Sequence, residues 1–262
     1  MGKKLGQHFL ISEKKLRQAA ENLDLKSKDA VIEIGPGHGE LTRELRKINS
    51  ESKLTLIEKD NELAEGLKEK FKDDKNIQIM EGDALKAIPS VIGNPSFIIH
   101  DYKITGNIPY YITGHLFRVI GDLENKPSVC VFTVQKEVAE RVTAEPPRMN
   151  LLAASVGLWA KPKIISHVPK KYFRPAPKVD SAIIKLAIHG KQLAVKKQET
   201  YYSLIKIIFK QPRKTVLNNL LSGFKNIKKE EIAEKLEKAG INPKDRPQNI
   251  KIKQLIELST LF

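Results

Sequence analysis

Residues 105–111 read Thr-Gly-Asn-Ile-Pro-Tyr-Tyr and follow directly on the β-prone run Tyr102-Lys103-Ile104. An amide, a proline and two phenols at a strand end are more than a hydrophobic core requires. Pro109 has no N–H and fixes φ at about −65°, which leaves neighbouring carbonyls free to face outward. The side-chain oxygen of Asn107 and the carbonyl of Ile108 could then accept both protons of one amino group, while Tyr110 offers a face to a planar ring. This arrangement suits nucleophilic attack by an exocyclic aromatic amine. The lone pair of such a nitrogen is delocalised into its ring, and two acceptors on its protons favour the pyramidal, more nucleophilic form in the transition state. The plainer alternative is an asparagine that caps a turn beside a core tyrosine.

A second constellation lies upstream. The apolar run Ala30-Val31-Ile32 leads into Glu33-Ile34-Gly35-Pro36-Gly37-His38-Gly39. Its third glycine comes one residue early for the dinucleotide fingerprint Gly-x-Gly-x-x-Gly. A glycine-rich turn that served only strand-to-helix packing would read the same. Two acids sharpen the reading. Glu58 ends the second strand about twenty residues on, where a carboxylate accepts both ribose hydroxyls. Asp83, in Glu81-Gly82-Asp83-Ala84, ends the third strand and could accept from an adenine amino group. Doubly wound sheets bind ligands outside the carboxyl ends of their strands, where all three features fall. A nicotinamide dinucleotide would fit Glu58 but not the glycine spacing, and no arginine-rich cradle for a pyrophosphate is visible. S-adenosylmethionine, a nucleoside without phosphates, fits better.

The elements that position these residues alternate. Strands are expected at "AVIEIG", "KLTLIEKD", "IQIMEGDA", "YKITGNI" and "SVCVFTVQ", with helices at "ELTRELRKI", "ELAEGLKEKF", "YITGHLFRVIGDL" and "KEVAERV". This alternation implies an α/β fold with a mostly parallel sheet. Ser12 is placed to cap a first helix. "KIISHV" and "SAIIKLAI" flank a proline-rich loop and read as a closing strand pair. From about residue 190 only helical periodicity remains, with Pro212 suiting a helix first turn and Gly240 a C-terminal cap. Two domains follow: residues 1–189 to bind the cofactor, and 190–262 as a small all-helical domain.

The formal net charge of +15 and pI of about 9.6 suggest a polyanionic partner. The excess sits in the second half. Residues 146–198 hold eleven Lys or Arg against one acid, Asp180, and residues 200–229 hold seven with no acid. The apolar runs are far shorter than a membrane span, and no signal peptide is visible. A single cysteine, Cys130, excludes an intramolecular disulfide and suggests a reducing, cytoplasmic location. His38, His100, His115, His167 and His189 show no metal-ligand spacing, so no metal is expected. Trp159 and Cys130 read as packing residues.

The ordered set "KKLGQHFL", "EIGPGHGELT", "IEKD", "EGDAL", "GNIPYYIT", "VQKEVAERV" and "YFRPAPKVDSAI" resembles the ribosomal RNA adenine dimethyltransferase family. The likeness runs across roughly residues 3–188 and extends through "FKQPRKTVLNNL" and "GINPKDRPQNIKIKQL" into the helical tail. It implies a Rossmann-like class I methyltransferase sheet with a helical C-terminal domain, and S-adenosylmethionine as cofactor. The tail resembles the bacterial small-subunit enzymes, which dimethylate two adjacent adenines of that subunit's RNA. The resemblance places Gln7, His8 and Leu10 over the cofactor, Gly35 and Gly37 against it, Glu58 on its ribose, and Asp83 and Ala84 at its adenine. Asn107 would both face the cofactor and bind the target amine, beside the Ile108 carbonyl read above as its second acceptor; Tyr110 would stack on the target base, and Phe173 would contact that base from another side. His8 stands where the family usually has Asn, Ile108 replaces a commoner Leu, Pro212 stands where Arg is usual, and the loop "AEPPRMNLL" is short. A cytoplasmic monomer acting on the small ribosomal subunit is the expectation. The alternatives are a large-subunit RNA methyltransferase, a non-catalytic RNA-binding assembly factor, and a nicotinamide-dependent oxidoreductase.

Overall fold

The computed structural model describes residues 7–27, 29–94, 101–189 and 195–262. His100, Lys191 and the residues of "KKLGQHFL" before Gln7 lie outside them, as do the proposed boundary at residue 190 and the side chains of Lys196 and Lys197. The strands are β1 (Phe9–Leu10), β2 (Ala30–Ile34), β3 (Lys53–Glu58), β4 (Ile77–Glu81), β5 (Tyr102–Asn107), β6 (Val129–Gln135), β7 (Ala160–Val168), β8 (Phe173–Arg174) and β9 (Ser181–Ile188). Seven of them form one sheet in the order β4-β3-β2-β5-β6-β9-β7. Strands β2 to β6 run parallel to their neighbours, and β9 returns antiparallel to β6. β2 is buried at every residue, which explains why all of it but Glu33 is apolar: a central parallel strand is covered on both faces. Helices α1 (Glu13–Glu21), α2 (Glu40–Ile48), α3 (Asn61–Lys70), α4 (Ala84–Ile92) and α5 (Thr113–Asp122) connect the strands. Ser12 occupies the N-cap position of α1 without a side-chain bond.

From β2 the chain builds outward through β3 to β4, then crosses back to place β5 on the other side of β2. This reversal opens a crevice beyond the carboxyl ends of β2 and β5, the usual ligand position in such sheets. The two strands approach closely there because Gly106 lies opposite Ile34. A Cβ at Gly106 would stand 2.2 Å from the Ile34 carbonyl oxygen.

A second, two-stranded ladder is too short for any periodicity to announce. β1 pairs antiparallel with β8, joining Phe9 to Arg174 and Leu10 to Phe173. Leu10 and Phe173 then enter one core cluster with Leu16, Leu23, Val168 and Ile183. The apolar contacts carry this ladder, since two residue pairs contribute few hydrogen bonds.

The chain packs as two compact units. The first holds residues up to Ala139 together with Pro162–Ile188, and the second holds Glu140–Lys161 and His189–Phe262. A single boundary near residue 190 assigns Glu140–Lys161 to the sheet domain, whereas that segment packs with the later helices. Its helix α7 (Leu151–Gly157), which follows α6 (Lys136–Val142), meets α8 (Val195–Ile208) where the Tyr201 hydroxyl donates to the Ala154 carbonyl at 2.9 Å. At Gly157 it leaves room for Ile252, whose side chain would lie 2.1 Å from an added Cβ. Trp159 is buried in this unit and Cys130 in the sheet.

The remaining helices are α9 (Val216–Gly223), α10 (Lys229–Lys238) and α11 (Ile252–Ser259). Gly240 follows α10 with φ +66°, as a C-terminal cap requires. Pro212 is corrected: it lies in a turn, not in a helix first turn, and α9 starts four residues later behind Thr215. The buried Asn219 holds that turn by bonding the Gln211 N–H and the Gln211 and Thr215 carbonyls. Among the described residues no helix is long and apolar enough to cross a membrane.

Candidate functional site

A cavity of about 280 Å³ opens at the carboxyl ends of β2, β3, β4 and β5. That is near the lower end of the roughly 300–1,000 Å³ typical of small-molecule sites. Ten of the residues expected at a site line it: Gln7, His8, Gly35, Gly37, Glu58, Asp83, Ala84, Asn107, Ile108 and Tyr110. They come from five separate stretches of sequence.

Glu58, at the end of β3, is 3% exposed. Its Oε1 accepts the Lys59 and Asp60 N–H groups at 2.8 and 3.0 Å, and its Oε2 accepts the Gly37 N–H at 3.1 Å. A carboxylate offers about four lone-pair positions, so three donors orient it and leave one position, on Oε2, to accept from a ribose hydroxyl. Gly37 adopts φ +60°, and a Cβ there would sit 2.8 Å from the Phe9 ring. Glycine lets that ring close down on the loop. Phe9 itself stacks at a tilt on His38, ring centroids 4.6 Å apart.

Asp83 caps α4, its Oδ1 accepting the Leu85 N–H at 3.0 Å while its Oδ2 accepts from Lys59 Nζ at 3.0 Å. The Lys59 ammonium, opposed by partial burial and aided by the Leu85 N–H, holds the Asp83 carboxyl below the usual carboxylate range. Ala84 is the first residue of α4, where an N–H has no partner inside the helix. An ionised acceptor beside an open donor matches the amino group and ring nitrogen of adenine. The only lysine or arginine lining the cavity among the described residues is Lys59, and it is paired. The donor set therefore fits an adenine nucleoside lacking phosphates, which is the fit S-adenosylmethionine requires.

Asn107 ends β5. Its Nδ2 donates to the His8 carbonyl at 2.7 Å, which fixes the amide plane and leaves Oδ1 as the free end. None of the hydrogen bonds among the described residues ends on the neighbouring Ile108 carbonyl, while the Ile108 N–H donates to Thr133. Two acceptors thus stand side by side at the cavity wall. Tyr110 is half-buried and its hydroxyl shares a hydrogen bond of 2.9 Å with Ser181. Burial raises its pKa, against the Ser181 bond, so the phenol stays neutral. Its ring lies 6.2 Å from the His8 ring at 26°. His8 Nδ1 lies 2.7 Å from the Pro175 carbonyl oxygen and donates to it.

Leu10 and Phe173 do not line the cavity. They face each other across the β1–β8 ladder, 4% and 2% exposed, behind the residues that do. Phe9, Lys59 and Tyr111 line it without having been singled out from the sequence. Lys59 had a signal, since it directly follows the ribose-binding candidate; Phe9 had none, because only the ladder turns it inward. Beneath the glycine loop, Glu33 is 1% exposed and its Oε2 accepts from the Thr42 hydroxyl at 2.7 Å. Burial, opposed by Thr42 and reinforced by Glu40 and Glu58, pushes its carboxyl up to about 8. It is neutral at pH 7 and adds no second charge beside Glu58. Among the described residues no group of three or more His, Cys, Asp or Glu could hold a metal ion.

Residues 1–262 match the family described as Ribosomal RNA adenine dimethylase. A protein of Dehalococcoides mccartyi named ribosomal RNA small subunit methyltransferase A is 39% identical over 253 residues, covering 96% of this chain and 85% of that relative. A protein of the same name from Caldanaerobacter subterraneus subsp. tengcongensis is 36% identical over 261 residues, covering 98% and 95%. Among solved structures, a dimethyladenosine transferase from Plasmodium falciparum superposes with a TM-score of 0.76 at 26% identity, covering 95% of each chain. The 23S rRNA methyltransferase ErmE gives 0.75 at 26% identity, covering 97% of this chain and 98% of its own. The sheet described above is therefore that of a class I methyltransferase.

Proposed function

From the premise that this chain belongs to the ribosomal RNA adenine dimethylase family, we propose that it dimethylates two adjacent adenines of small-subunit ribosomal RNA, one base at a time, through the cavity at the ends of β2 to β5. The chain is an S-adenosylmethionine-dependent rRNA adenine dimethyltransferase. The observation that carries the site assignment is the Asn107 amide, clamped by its nitrogen to the His8 carbonyl so that its oxygen faces outward beside the open Ile108 carbonyl.

Asp83 and Ala84 hold the cofactor's adenine, Glu58 its ribose, and Gly35, Gly37, Gln7 and His8 surround its remaining length, with Leu10 supporting His8 from β1. The cofactor supplies an electrophilic methyl group on a cationic sulfur. The chain's part is to aim the target nitrogen. Asn107 Oδ1 and the Ile108 carbonyl accept its two protons, draw the lone pair out of the ring, and stabilise positive charge as it develops. Once substituted, the nitrogen is acidic enough to lose a proton to water, so neither acceptor need act as a strong base. Tyr110 fixes the ring plane, held by Ser181, while Phe173 secures β1 by pairing with Leu10. Positioning of this kind can supply much of the barrier lowering.

An adenine inside a duplex cannot reach such a wall, so the target is unpaired or flipped. Lys170, Lys171, Arg174 and Lys178 are exposed on the segment between β7 and β9, and β1–β8 pairing sets Arg174 against Phe9 at the cavity. Cations there can hold RNA phosphates, with stacking on Tyr110 worth roughly 1–3 kcal/mol. In this reading the sheet unit binds the cofactor, the helical unit of Glu140–Lys161 and His189–Phe262 grips the ribosomal particle, and the protein acts as a monomer in the cytoplasm.

Labelled cofactor offered with unmethylated small and large subunits, followed by nuclease mapping, tests the assignment. Label in two adjacent small-subunit adenines is expected. Label confined to large-subunit RNA selects the alternative that the likeness to ErmE favours, and no transfer with intact cofactor binding selects the assembly-factor reading.

A further inference from the structure

One residue at the cavity touches both places where the cofactor's nucleoside is to be held. The Lys59 N–H donates to Glu58 Oε1 at 2.8 Å, and its Nζ reaches Asp83 Oδ2 at 3.0 Å. A single residue thus orients the ribose acceptor with its backbone and the base acceptor with its side chain. The Leu85 N–H takes the other Asp83 oxygen, so the plane of that carboxylate is fixed at both ends. Two of its roughly four lone-pair positions are occupied, and two remain for a base amine. Lys59 therefore orients Asp83 without blocking it. Its side chain is half-exposed and carries a full charge, so its influence is electrostatic as well as steric.

From this geometry we infer that Lys59 is a positioning residue for the cofactor's adenine, holding the Asp83 carboxylate aimed as the amine acceptor. The inference rests on the function proposed above. The charged and titratable groups facing Asp83 are Lys59 from the end of β3 and Lys86 on α4, with the Tyr111 hydroxyl facing Lys59 from across the rim. Of these, Lys59 makes the direct bond and has the largest lowering effect on the Asp83 pKa. The depressed pKa means that the acceptor survives mild acid and is lost only as pH falls below the ordinary carboxylate range. Without the ammonium that loss begins at higher pH.

Lys59→Met keeps a long apolar stem and removes the charge. Calorimetric titration with S-adenosylhomocysteine is expected to show about three- to fivefold weaker binding at low salt, the size of an exposed charge pair, and a smaller difference in high salt. The acid limb of binding should move up towards the pH at which a free aspartate titrates, and Lys59→Arg should restore both properties. In an Asp83→Asn background the methionine substitution should add nothing. Wild-type affinity and an unchanged acid limb in Lys59→Met would overturn the inference, as would additive losses in the double variant. Failure of the wild-type protein to bind S-adenosylhomocysteine would instead break the functional reading on which the inference stands.

Discussion

Lys103 and Asn107 lie on the same strand, β5, near its opposite ends. Lys103 is 4% exposed. Its ammonium sits 2.6 Å from Asp29 Oδ2 and donates to the Asp24 carbonyl at 2.5 Å, while Lys185 closes the group by pairing with Asp24 at 2.8 Å. Every strong polar group there is answered from within the protein. Asn107 is answered only on its donor side, by His8. At one end of the strand polarity serves the fold, and at the other it is left over for a ligand. The difference teaches how to read a polar residue at a strand end: what matters is which of its atoms the protein has already used.

The comparison can be broken from either end. The largest effect is expected from Lys103→Met, which strands Asp29 in a buried position. Loss of one partner of a buried pair costs about 3–5 kcal/mol, to be read from denaturant unfolding, while S-adenosylhomocysteine affinity of the folded protein stays within about twofold. A comparable loss of cofactor affinity would show that the two ends are not independent. Asn107→Ala should do the reverse. By analogy with removing one oxyanion-hole donor, turnover should fall by about two to three orders of magnitude, with little change in the unfolding midpoint; near-normal dimethylation in single-turnover assays would discard its role. The smallest effect belongs to Ser181→Ala, which takes the partner from the Tyr110 hydroxyl. A lost neutral hydrogen bond is worth about 0.5–1.5 kcal/mol, so a few-fold rise in KM for RNA is expected. A Tyr110→Phe variant that behaves like wild type would place the ring's value in stacking alone.

Much of this architecture is spelled locally. β2, β3 and β5 read as short β-prone segments rich in Val, Ile and Leu or Tyr, with the few polar residues between them buried in the sheet, and their ends are marked by Gly35, Glu58 and Asn107. The β1–β8 ladder was illegible, since two residues have no period, yet it buries Phe173 and Leu10 and turns Phe9 into the cavity. Likewise Glu140–Lys161 reads as a continuation of the sheet domain until Gly157 is seen to admit Ile252. Pro212 was misleading for a related reason: the buried side chain of Asn219, eight residues from Gln211, folds that stretch into a turn.

The sequence by itself determined the alternation of strands and helices, the acids and glycines at strand ends, and the basic bias of the second half, because these depend on periodicity, residue type and charge. It could not say which end of the Asn107 amide remained free, that Lys59 would span Glu58 and Asp83, or that burial would neutralise Glu33. Those depend on distances of about 3 Å between residues far apart in the chain, and only the folded sheet brings them that close.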